Sequence, residues 1–103
     1  MKRLINGKLY NTETATRIAD WDNGRNRSDF HVVEKYLYLT KKGNWFIEYF
    51  GGAATQFAET TGNSSSQGRG IEPITPEEAF EFLQKYNFIE LAEKYFPETI
   101  EEA

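Results

Sequence analysis

His31 is the only histidine in the chain. Imidazole changes protonation most readily near neutral pH, so His31 is the first residue to weigh as a general base. It stands at the start of an expected strand with no assignable partner, and it reads as a structural or exposed side chain. Cysteine is absent, which removes disulfides, thiolate zinc ligands and a cysteine nucleophile. Carboxylates gather at Asp20 with Asp22 and at Glu77, Glu78 and Glu81. Glu77 and Glu81 are four residues apart and share one helix face. A glycosidase-like or metal site would need such carboxylates in a cleft with shifted proton affinity. At a helix start they more simply cap the helix and offset its macrodipole. Gly51-Gly52 ahead of an expected short helix could present backbone N–H groups to an anion, but no phosphate-loop pattern follows. Gly68-Arg69-Gly70 falls short in the same way. Both read as backbone geometry. No catalytic residue, metal ligand or cofactor is assigned, and the chain reads as non-enzymatic.

Charge is the more informative signal. The net formal charge is −4 over 103 residues, with a pI near 5.0. Residues 1–70 hold ten Lys/Arg against seven Asp/Glu, and residues 71–103 hold two against nine. The first part is therefore +3 and the last third −7. The plain reading of the acidic third is a pair of solvated helices. The sharper one is an acidic surface offered to a basic partner through Glu77, Glu78, Glu81, Glu90 and Glu93. The alternative site is basic. Arg25, Arg27, Lys41, Lys42 and Arg69 fall in expected loops, and with Tyr36, Tyr38 and Phe46 they offer cations for phosphates and rings for bases. The low pI weighs against a dedicated nucleic-acid binder.

These residues must be positioned by a small α+β domain. Its length fits one domain over residues 1–103. The 16% aromatic content argues against disorder. The apolar part of the N-terminus is two residues long, so no signal peptide is expected. No apolar run reaches the roughly 20 residues that span a bilayer. The default compartment is the cytoplasm.

Asn6-Gly7 between short apolar runs signals a tight hairpin turn. Ala15–Trp21 reads as a strand closed by Asp22-Asn23-Gly24, and residues 25–29 as a loop. Val32–Phe50 is the clearest segment, two aromatic and β-branched runs around Lys41-Lys42-Gly43-Asn44. A three-residue loop with Gly43 left-handed pairs Leu39 with Trp45 and Leu37 with Ile47 on a core face. It sets Tyr38 beside Phe46 and Tyr36 beside Glu48 on the other face. That second face is half apolar. It is expected either to sit under the helices or to form a recognition surface, and it is compatible with a homodimer. A short helix is expected over Ala53–Thr61 with Phe57 inward, then a mobile Gly/Ser-rich loop at 62–70. Thr75-Pro76-Glu77-Glu78 is a strong helix start with a capping box. Ala79, Phe82, Leu83 and Tyr86 form its inward stripe, and Asn87 ends it. A second helix follows with Ile89, Ala92, Tyr95 and Phe96 inward, Pro97 stopping it and a frayed tail at 98–103. The order favours a small antiparallel sheet with two to three short, mainly C-terminal helices on one face.

Met1–Tyr10 with Asn11–Ala15, Tyr38–Phe46, Gly51-Gly52-Ala53, Phe57-Ala58-Glu59 and Pro73–Ala79, in that order and spacing, resemble a family of small proteins of Firmicute mobile elements and prophages. The resemblance covers most of the chain. It is weakest at 62–70 and after Asn87, and it carries no catalytic residues. It implies a protein-binding role akin to that of small acidic inhibitors of host defence, anti-CRISPR proteins among them. The implied partner is a host or phage protein such as a nucleic-acid-guided effector, whose basic channel the acidic helices would occupy. Nucleic acid itself is the less favoured partner.

Overall fold

The alternation in residues 33–51 builds the centre of the fold. The computed structural model describes all 103 residues. Strands β1 (Lys2–Ile5) and β2 (Lys8–Asn11) form a separate hairpin. β3 (Thr16–Asp22), β4 (Val33–Leu39), β5 (Trp45–Gly51) and β8 (Gly68–Ile74) form a four-stranded antiparallel sheet in the order β3-β4-β5-β8. The hairpin β6 (Glu59–Thr61) and β7 (Ser64–Ser66) is inserted between β5 and β8. Helices α1 (Pro76–Lys85) and α2 (Ile89–Tyr95) close the chain. The class is α+β, with the helices C-terminal.

The β4–β5 register is the one expected, Leu39 opposite Trp45, Leu37 opposite Ile47, Tyr38 opposite Phe46 and Tyr36 opposite Glu48. Gly43 has φ +87°, a backbone state that a side chain disfavours and that closes the three-residue loop without splaying the strands. Leu37 and Trp45 are buried under Ala79, Phe82 and Leu83 of α1 and Ala92 of α2. Trp45 meets the rings of Tyr95 and Phe96 at 5.6 and 5.4 Å, and Trp21 stacks on Tyr86 at 4.4 Å. Ile89 departs from the expected stripe and is 59% exposed.

The opposite face is neither under the helices nor free. Tyr38, Phe46 and Ile71 are buried there together with Tyr10 of β2. Tyr38 stacks on Phe46 at 5.0 Å and Tyr10 meets Phe46 edge-on at 5.5 Å. The N-terminal hairpin therefore roofs this part of the sheet.

Two further expectations are corrected. No helix forms over Ala53–Thr61. That stretch makes turns and then β6, while Phe57 stacks on Tyr49 at 4.7 Å, so side-chain packing on the sheet overrides weak helical propensity. Residues 62–70 are not simply a loop. Ser64–Ser66 is β7, and residues 68–70 open β8, where β5 supplies a backbone ladder that composition does not reveal. Residues 98–103 form no helix or strand.

The capping box at α1 is complete. Thr75 Oγ1 accepts from the Glu78 N–H and Glu78 Oε1 accepts from the Thr75 N–H, both at 3.1 Å. Thr75→Ala is expected to cost about 1 kcal/mol and to lower the melting temperature by about 4–8 °C, as read by thermal circular dichroism.

Candidate functional site: an acidic helical face

Helix periodicity places five of the nine carboxylates of the last third on the outside of α1 and α2, and the other four lie on β8 and the tail. Glu77, Glu78, Glu81, Glu90 and Glu93 are all exposed, as are Glu72, Glu98, Glu101 and Glu102. They do not form one cluster. Glu78 and Glu81 line a shallow crevice with Glu72, Lys35 and Lys85. Glu93 lines a groove of about 540 Å³ with Glu101 and Glu102, floored by Phe80, Leu83, Phe88, Ile89 and Ala92. Glu77 and Glu90 belong to neither hollow. Glu78 is occupied in the capping box, which leaves Glu77, Glu81, Glu90 and Glu93 as the freely disposed members of the expected set. The tail acids Glu101 and Glu102 join them only because the chain folds back past Pro97. Sequence reasoning passed over these two, although their charge is continuous with that of α2.

The basic set divides differently. Arg25, Arg27 and Arg69 lie at the open end of the β4–β5 hairpin, and Lys41 and Lys42 lie at its turn. Each of the three arginines has an internal partner. Arg25 pairs with Asp29 at 3.2 Å, Arg27 with Glu34 at 2.8 Å, and Arg69 with the buried carboxylate of Glu48 at 3.2 Å. Arg27 also lies over the Phe50 ring, 4.5 Å from its centroid, a cation–π contact. Arg17, which sequence reasoning missed, donates through Nε and Nη2 to the Tyr38 hydroxyl and covers the Tyr36 ring at 4.5 Å. Tyr38 and Phe46 are buried and cannot stack a base in this arrangement. Tyr36 is half-buried and donates its hydroxyl hydrogen to Glu34. Lys41 and Lys42 keep company with Lys8 in a crevice between the two hairpins, where Lys8 Nζ donates to Asn44 Oδ1 at 3.3 Å.

The Arg27–Glu34–Tyr36 network sets a pH dependence. Hydrogen bonds from Arg27 hold the Glu34 carboxyl below the usual carboxylate range, and burial raises the Tyr36 phenol. A depressed folded-state value stabilises the fold above the unfolded carboxyl range, about pH 4.3, and that stability is lost as pH falls through the folded value. Wild type is thus expected to exceed Glu34→Gln in urea stability at pH 7, with the gap closing on acidification below about pH 4. A gap that is constant with pH would contradict this account.

All three ion pairs of the fold fall within residues 25–69. None of the nine carboxylates after residue 70 has a salt-bridge partner. No group of three or more His, Asp or Glu side chains is placed to hold a metal ion. No helix is long and apolar enough to cross a membrane. Comparison with protein families, curated proteins and solved structures finds no match to the chain.

Proposed function

We propose that the chain is a non-enzymatic protein-binding module of a phage or mobile element. It acts in the cytoplasm as a stoichiometric inhibitor of a defence effector of the nucleic-acid-guided, CRISPR type. One observation carries this reading. Arg25, Arg27 and Arg69 of the basic loops are neutralised within the fold, whereas the carboxylates of the last third are exposed and without an ion-pair partner. An exposed ion pair adds little stability, so the pairing matters for what it leaves available. The outward charge is negative and rides on helices, where it can steer toward a basic groove and compete with phosphate. The resemblance of Met1–Ala15, Tyr38–Phe46 and Pro73–Ala79 to proteins of mobile elements supports the biological setting. Of its basic set the nucleic-acid reading keeps only Lys41 and Lys42 without a carboxylate partner, and it loses Tyr38 as a stacking ring.

The test is capture of partners from host lysate by tagged protein, with and without nuclease, beside the variant Glu77→Lys/Glu81→Lys/Glu90→Lys/Glu93→Lys. Glu78 is left intact so that α1 keeps its cap. Each contact is worth about 0.5–1 kcal/mol, so four together should weaken binding by about 30- to 1000-fold. A nuclease-resistant defence protein captured by wild type and lost by the variant supports the reading. Unchanged affinity in the variant, or partners that vanish with nuclease, would overturn it.

A further inference from the structure

We infer that copies of this chain associate head to tail, the N-terminal hairpin of one copy seating in the α1–α2 groove of the next. Two separate surfaces carry this, and it does not rest on the proposed function.

The first surface is the outer face of the hairpin. Leu4 and Leu9 are directly opposed across β1 and β2. They are 73% and 57% exposed, although Ile5 and Tyr10 of the same strands pack inward on the sheet. A cross-strand pair of large apolar side chains facing water forms a small contiguous patch. Lys2 shares that face, Arg3 and Lys8 are exposed at the alternate positions beside Tyr10 and Ile5, and residues 1–12 contain no Asp or Glu. The two-residue turn at Asn6-Gly7, with φ of 50° and 77°, makes this a narrow wedge.

The second surface is the groove between α1, α2 and the returning tail. Its floor is apolar, Glu93, Glu101 and Glu102 line it, and no Lys, Arg or His does. Ile89 and Ile100, also in its lining, are 59% and 41% exposed. Its volume falls in the range of sites that take up a ligand group. The wedge thus supplies two leucines for the apolar floor, with Lys2 beside them and no carboxylate of its own to repel those of the groove. Opposite charge at the periphery of an apolar contact sets orientation and partner choice. Both surfaces occur once on each chain and are different patches, so the contact is heterologous and adds copies in a chain unless the rotation closes a ring. The wedge is small, which predicts weak association that grows with concentration.

The test uses the full chain alone in sedimentation velocity up to about 1 mM. Wild type should show dimer and larger species, and these should diminish as NaCl rises from about 0.05 to 0.5 M. The hairpin variant Leu4→Thr/Leu9→Thr and the groove variant Ile89→Lys/Glu101→Lys should each be monomeric, with affinity reduced by at least about 10-fold. All four positions are exposed, and circular dichroism checks that both variants fold. Mixed in equal amounts, the two variants should form a dimer and stop there, because the first keeps a native groove and the second a native hairpin. Association of wild type with no response to either variant, a monomeric wild type throughout, or a mixture that stays monomeric would overturn the inference. Neither variant touches Glu77, Glu81, Glu90 or Glu93, so failure here leaves the capture experiment standing.

Discussion

Phe46→Ala is expected to destabilise the protein by about 3–5 kcal/mol, the range for removing a fully buried aromatic ring. Phe46 is the largest side chain with no solvent exposure. Its ring lies between Tyr38, stacked at 5.0 Å, and Tyr10, edge-on at 5.5 Å. Alanine would remove both aromatic contacts and leave a cavity where the N-terminal hairpin meets the sheet. The melting temperature should fall by about 4–8 °C for each kcal/mol. The damage should also be uneven. Amide exchange should rise most in β1 and β2, whose seat is lost, before it rises in β4 and β5. Leu4→Ala, on the exposed side of the same hairpin, should stay within about 0.5 kcal/mol of wild type. Equal losses from the two variants would mean that the hairpin is not anchored through Phe46.

Gly68→Ala is the second large effect. Its sign separates two physical accounts. An alanine in an ordinary extended conformation restricts the unfolded chain and should add about 0.4–1 kcal/mol. Gly68, however, pairs with Gly51 at the end of the β5–β8 ladder, and residues 57–58 pass directly over it. A Cβ there would overlap the carbonyl oxygen of Phe57 and lie 2.7 Å from its carbonyl carbon. These are backbone atoms with no rotamer to give way, so the strand or the crossing segment must shift. Overpacking of this kind costs about 1–3 kcal/mol, and the rigid neighbour points to the upper end. Because the crossing segment carries Phe57 onto Tyr49, that stack should loosen with it. Urea denaturation is the measurement, and a variant as stable as wild type would show that the crossing segment is free to move aside.

The parts of this fold that follow from local rules could be read from the sequence. Alternation on both sides of Gly43 determines the β4–β5 register, because a slip by one residue would set Leu37 opposite Glu48 and waste a core position. Thr75, Pro76 and Glu78 mark the start of α1 through hydrogen bonds that span only three residues. What could not be read depends on distant partners. The roof over Tyr38 and Phe46 comes from Tyr10, and nothing near Tyr38 announces it. Arg69 meets Glu48 from 21 residues away, so the arginines of the basic loops looked free in the sequence and are paired in the fold. Residues 53–58 were misread because Phe57 answers to Tyr49 and not to a helical stripe. The acidic side of the candidate site was legible as composition. Its division into a cap residue, a crevice and a groove was not, because that depends on how α2 and the tail turn back.

The roof formed by β1 and β2 has a consequence for biosynthesis. These strands are made before the rest of the sheet, yet the cluster they cover is completed only when Ile71 of β8 has been made. About 60 residues separate Tyr10 from Ile71, and at about 5–20 residues per second their synthesis takes roughly 3–12 s. A lone two-stranded hairpin is at best marginally stable in water. Through that interval the nascent chain carries Leu4, Ile5, Leu9 and Tyr10 unsheltered, beside Lys2, Arg3 and Lys8. An early hairpin of this fold therefore waits for the last strand of the sheet before it can settle.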